Sequence, residues 1–309
     1  MCPRNIFYLQ KGALTASDRE VQKMGGDMDI IITKSDWGMD HMGSTADRME
    51  AVAAAGFDGF EAFFINIEPA AFRAKSEKLN LPYVAGFVAP TPDAFVKGLR
   101  RVLELNPILV NCHGGRDYHT HEESLAYFRE VMKIAKEETD VPVVWETHRR
   151  CNLYSPWATE RLLMDLPELM ITADLSHFCV VSEGDMTTSA GEEPDESGVI
   201  PLVPDKRKDA MMEIALSRAE HIHARVGDLH RPQCVDPRVG DGLKWTEHFE
   251  GWWDRIFDHA RVRGREWFTI CPEYGPVPYA PADPVTGVAY ADPWELAVWA
   301  KDRLKARYG

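Results

Sequence analysis

The chain has 309 residues, 45% of them hydrophobic, and a net charge of -14. That length can bury a large core, and that charge argues against a nucleic-acid or anionic-membrane surface, both of which need a basic footprint. Six cysteines, Cys2, Cys112, Cys151, Cys179, Cys234 and Cys271, lack CxxC spacing and read as reduced thiols of a cytoplasmic protein. No apolar run has the length of a membrane span and no charged segment leads into an apolar one at the N-terminus, so neither membrane insertion nor secretion is expected.

Residues 1–27 are mixed and polar, end at Gly25-Gly26, and are expected to form an extension outside the main fold. From residue 28 to 309 one theme repeats, a short apolar strand followed by an amphipathic helix. Strands are predicted at 29–34, 59–64, 83–87, 108–113, 143–146, 170–174, 221–225 and 267–273. Helical patterns lie at 45–55, 91–105, 122–136, 157–165, 206–218, 245–261 and 293–307, with start signals at Thr91-Pro92 and Ser155-Pro156. Pro142 precedes the fifth strand, where its missing N–H costs the ladder little. Eight such units predict a single-domain (β/α)8 TIM barrel, and the absence of a glycine-rich phosphate loop disfavours an open doubly wound sheet.

Two connections, 175–205 with its acidic SAGEEPDESG run and 226–244, follow the sixth and seventh strands. They therefore belong to the catalytic face and are candidate lids, although the first reads equally well as a solvated excursion. The paired tryptophans Trp252-Trp253 are expected to pack on the core.

The chemistry concentrates where strands end. In VPVVWETHRR a buried strand runs into Glu146 and His148, which alternation places on one side. Glu146, Asp174, His223 and Glu273 terminate four consecutive strands, so three carboxylates and one imidazole converge on the barrel mouth. Concentrated negative charge of that kind calls for a cation, and a divalent metal is the natural one.

The segments WETH, TADLSH, HIHARVGD and CPEYGP resemble those of the xylose isomerase-like TIM-barrel superfamily of sugar phosphate isomerases and epimerases. The resemblance implies that Glu146, Asp174, His223 and Glu273 hold the metal, with His223 preferred to His221 because it lies nearer the strand's C-terminal end. It implies a role for His177, in D-x-x-H after Asp174, in contacting substrate. His113, His148, Arg149, Arg225, Trp37 and Glu61 are further candidates for holding hydroxyls or a carboxylate. One divalent ion is expected, Mn(II) first, with Mg(II), Co(II) and Zn(II) also suited to the donor set.

The implied activity is a sugar isomerase or epimerase that abstracts a proton beside a metal-bound carbonyl through an enediolate. Glu146 and Glu273 are the implied acid and base, with His148 an alternative base expected to titrate near neutral pH. The ketose 3-epimerase pattern is incomplete, since Asn152 and Leu229 stand where those enzymes carry a glutamate and an arginine, and no Asp-x-Asp pair supplies the second metal of true xylose isomerases.

A dehydratase or lyase of the 3-dehydroshikimate dehydratase or C-glycoside-cleaving kind is the alternative, with His148 as base and Arg225 as anchor. An apurinic-endonuclease-like phosphodiesterase, suggested by His113, Asp174-x-x-His177 and Asp228-x-His230, ranks lower because Asp228 follows His223 too closely and the charge is wrong for DNA. A non-catalytic sugar-binding barrel ranks last, because all four candidate ligands are present. The expected partner is a small sugar or sugar-derived molecule, with no nucleic acid and no membrane, and a homo-oligomer is compatible with the sequence.

Overall fold

A computed structural model describes residues 28–63, 65 and 67–309. The expected extension over 1–27, with Cys2, lies outside the described residues, as does Phe64 at the predicted end of the second strand.

The barrel strands are β1 (Asp29–Ser35), β2 (Gly59–Ala62), β3 (Tyr83–Ala89), β4 (Leu109–Gly114), β5 (Val143–Glu146), β6 (Ile171–Ala173), β9 (Ala219–His223) and β10 (Trp267–Cys271). A small antiparallel hairpin, β7 (Thr188–Ala190) with β8 (Leu202–Pro204), stands apart from them. The barrel closes in the order β1-β10-β9-β6-β5-β4-β3-β2, every neighbour parallel. At the seam Ile32 sits opposite Ile270, and Ser35 opposite Glu61.

Around the barrel run α1 (Thr45–Ala54), α2 (Pro69–Leu79), α3 (Pro92–Leu103), α4 (His121–Glu138), α5 (Pro156–Asp165), α6 (Ser176–Ser182), α7 (Lys206–Leu216), α8 (Gly240–Val262) and α9 (Pro293–Tyr308). The two expected start signals act as caps: Thr91 and Ser155 accept from the backbone N–H of Ala94 and Ala158, with proline in the first turn. The helix α8 begins earlier than its apolar pattern, because Gly240 and Gly242 read as loop. A Cβ at Gly242 would come within 1.9 Å of the Asp236 carbonyl oxygen, so the glycine marks close backbone approach.

Strand alternation sorts the interior. Near the N-terminal ends Val84, Leu109 and Val144 form a small apolar cluster of their own. Thr33, Glu61, Asn111, Thr172, His221 and Thr269 follow as a polar layer, each 0% exposed. The outward faces carry the main core, where Phe60, Trp145 and Phe268 meet Phe72, Phe95, Phe128 and Phe257 from the helices. Trp252 and Trp253 are buried there, as expected.

The connection 175–205 is not a plain loop: α6 starts two residues after Asp174, and the β7–β8 hairpin follows. The five described cysteines are free and buried. Among the described residues no helix is long and apolar enough to cross a membrane.

Candidate metal centre

Glu146 is the last residue of β5 and His223 the last of β9, while Asp174 and Glu273 follow β6 and β10 by one and two residues. One ligand atom from each of the four lies within 4.8 Å of the others. Each side chain is pinned by its strand neighbours. Asp174 is fixed through Thr147, whose hydroxyl donates to the Asp174 carbonyl and accepts its N–H, both at 2.9 Å. Asn111 takes a hydrogen bond from the Thr172 hydroxyl at 2.9 Å and donates its own N–H to Glu146 Oε2 at 2.8 Å. Beyond Glu273, the Gly275 N–H donates to Gln233 Oε1 at 2.9 Å, which clamps the loop after β10 to the loop after β9.

His223 is the informative member. Its Nε2 faces Glu61 Oε1 at 2.8 Å, so the carboxylate takes the N–H there and leaves the Nδ1 lone pair aimed at the cluster. Nδ1 is buried without a hydrogen-bond partner, although Glu146 Oε2 and Glu273 Oε2 stand 3.3 and 3.2 Å away. Those distances satisfy an ion pair, but both oxygens sit off the line an N–H would take. A nitrogen lone pair among three carboxylates is the donor set of a divalent cation, and the residues present fit one.

The electrostatics agree. Burial would lower the His223 pKa, but the carboxylates of Glu273, Glu146 and Glu61 outweigh it and raise it well above its ordinary value. A proton and a cation therefore compete for Nδ1. Burial pushes Asp174 up to about 6 despite the buried guanidinium of Arg225, with Glu146 and Glu273 adding to the rise. For Glu146 burial acts upward too, but His113 and His223 beside it prevail and hold it well below the usual carboxylate range.

The remaining expected site residues separate into groups. His113 and His148 line the cavity above the cluster, with His113 Nε2 at 2.7 Å from Glu146 Oε2 and the two rings stacked at 4.6 Å. Trp37 lines the same cavity and lies on the Gly275 backbone, where a Cβ would come within 2.2 Å of its ring. Arg225 is 1% exposed and spans Asp174 and Glu273. Its guanidinium is thus already engaged by protein carboxylates. His177 is fully buried and accepts from Arg225 Nη2 at 3.0 Å. Arg149 lies 5.0 Å over the Tyr279 ring.

Two expectations need correction. Burial, with His113 beside it, pushes the His148 imidazole down to about 3, so it does not titrate near neutral pH. Glu61 is 0% exposed beneath His223 and cannot hold a substrate hydroxyl. Asp228 and His230 stand apart from the cluster, Asp228 Oδ1 accepting the backbone N–H groups of His230 and Arg231 in a turn.

The cavity has a volume of ≈ 480 Å³, within the range of small-molecule sites. Glu146 and Glu273 open onto it, and its lining includes Asp36, Arg48, Phe63 and Tyr279, none of them singled out in the sequence. Tyr279 comes from a proline-rich loop without periodicity; its hydroxyl lies 3.5 Å from His148 Nε2 and its ring stands edge-on to Trp37 at 4.8 Å.

Solved structures share this barrel. An L-ribulose 3-epimerase aligns at 14% identity with a TM-score of 0.57, over 89% of this chain and 93% of that one. A sugar phosphate isomerase/epimerase from Parabacteroides distasonis aligns at 11% identity and 0.53, over 90% and 94%. A family 2 AP endonuclease from Brucella melitensis aligns at 14% and 0.50, over 79% and 92%. The chain has the fold of the xylose isomerase-like TIM barrels, and at these identities the likeness is one of fold. No protein-family model and no curated protein matches the chain in sequence.

Proposed function

We propose that the protein is a divalent-metal-dependent enzyme that moves a proton at a carbon next to a carbonyl, as a sugar isomerase or epimerase. The observation that carries this reading is the unpartnered Nδ1 of His223 among Glu146, Asp174 and Glu273, beneath a cavity sized for a small molecule. Glu146, Asp174, His223 and Glu273 would hold the ion, Mn(II) first. When bound, the ion supplies charge stabilisation for a carbonyl oxygen that becomes negative.

The chain's own groups do the rest. Glu146 and Glu273 are the carboxylates that open onto the cavity, and they exchange the proton with the substrate carbon. Asn111 and His113 both meet Glu146 Oε2 and fix its orientation. A His148 ring held neutral serves as a hydrogen-bond partner for a hydroxyl rather than as the main base, because its basicity is too weak for neutral pH. Trp37 and Tyr279 wall the cavity against water. The names of two of the similar structures, an epimerase and an isomerase/epimerase, support this class of reaction on this fold.

The test is metal content of the purified protein, followed by incubation of the Mn(II)-loaded protein with a panel of ketoses and keto acids in deuterated water. Exchange of a carbon-bound proton with a rearranged sugar is expected. Exchange with loss of a substituent would replace the isomerase reading by a lyase, and no metal uptake with any of Mn(II), Mg(II), Co(II) or Zn(II) would overturn the centre itself.

A further inference from the structure

We infer that Glu61, one layer below the cluster and out of reach of any substrate, is a positioning residue that selects the ring nitrogen of His223 available to a cation. The inference rests on the metal reading above and adds to it a cause for the site's orientation.

The hydrogen bonds beneath the cluster fix where His223 carries its proton. His221 Nδ1 lies 2.7 Å from the Thr269 hydroxyl and 3.0 Å from the Thr269 carbonyl oxygen. His221 Nε2 donates to Glu61 Oε2 at 3.2 Å. Thr33 donates its hydroxyl to the same oxygen at 3.3 Å. The other oxygen, Oε1, is left for His223 Nε2 at 2.8 Å. An ionised carboxylate only accepts, so every group facing Glu61 must be a donor. His223 thereby keeps its proton on Nε2, which leaves Nδ1 as the nitrogen a cation can take.

No side chain of another type does this in the same place. An amide at position 61 would present N–H to one of the two histidine Nε2 atoms, and that ring would have to shift its proton to Nδ1. For His223 this closes the nitrogen that faces Glu146, Asp174 and Glu273. The cost of losing such an outer partner of a metal-bound histidine is about 10–100-fold in metal affinity.

The experiment compares wild type and Glu61→Gln by Mn(II) titration calorimetry, with circular dichroism to show that both are folded, and by ¹⁵N-histidine NMR without metal and with Zn(II). In wild type, Zn(II) is expected to bind His223 through Nδ1 with the proton kept on Nε2. In Glu61→Gln, Mn(II) affinity is expected to fall about 10–100-fold, and one of the two rings facing position 61, His221 or His223, to carry its proton on Nδ1, a tautomer change that mere loss of packing would not produce. Wild-type Mn(II) affinity in a folded Glu61→Gln protein would overturn the inference while leaving the metal reading intact. Zn(II) bound through Nε2 in the wild type would overturn it without any variant, which decides the matter even if Glu61→Gln does not fold. Absence of metal binding by the wild type overturns the metal reading and this inference together.

Discussion

His113 Nε2 lies 2.7 Å from Oε2 of Glu146, the same oxygen that accepts the Asn111 N–H at 2.8 Å. Two strands thus steer one carboxylate oxygen of the residue proposed to move the proton. Replacing His113 by alanine removes a charge-assisted contact worth about 1.5–3 kcal/mol. The expected result is a fall of about 10–100-fold in kcat/KM once a substrate is known. An unchanged kcat/KM would show that the contact does not steer Glu146.

Glu146→Gln and Glu273→Gln separate proton transfer from assembly. Each swap keeps the volume but removes a carboxylate charge that His113 and His223, or His223 and Arg225, face, so a modest fall in melting temperature is expected with the fold retained by circular dichroism. Turnover is expected to drop below detection for both, with Mn(II) binding weakened. A variant that keeps full activity would eliminate that residue as acid or base, and activity retained by both would sink the proposed mechanism.

The fold was readable because most barrel strands carry a short apolar stretch and several helices a start signal, as at Thr91 and Ser155. The four converging strand ends were readable because alternation and barrel closure leave a strand-terminal Glu, Asp or His little choice of direction. Other features had no local signature. The helix α2 buries only Phe72, so its pattern is faint, and the β7–β8 hairpin lies in an acidic exposed stretch that looks like solvent-facing loop. Tyr279 sits on a loop whose path is set by tertiary contacts with Trp37 and Arg225, and no periodicity announces it. Glu61 was visible as a candidate, but its role depended on depth within the barrel, which strand parity does not report.

Arg225 is a large, fully buried side chain that pairs with both Asp174 and Glu273. Arg225→Met would leave two buried carboxylates without their cation, at an expected loss of about 3–5 kcal/mol in urea unfolding. Bound Mn(II) supplies compensating charge at the same carboxylates, so the gap between variant and wild type should narrow on metal loading and widen again in EDTA. A gap insensitive to metal would mean that Arg225 and the ion act on different groups.

Asp36 gives a pH test outside the ligand set. Its carboxyl lines the cavity, and burial pushes its pKa up to about 6 against the opposing charges of Arg48 and Lys34. The unfolded value is near 3.9. A carboxyl raised on folding favours the native state fully below the unfolded value, and that contribution is lost as pH rises through about 6. Asp36→Asn abolishes the loss, so the variant should gain on wild type as pH goes from 4 to 7, by an amount on the order of 1–3 kcal/mol. The measurement is urea unfolding of both proteins across that range, read as their difference so that other titrating groups cancel. A difference that stays flat with pH would place the Asp36 carboxylate in a solvated setting, and a variant that loses ground as pH rises would show that Arg48 and Lys34 outweigh burial.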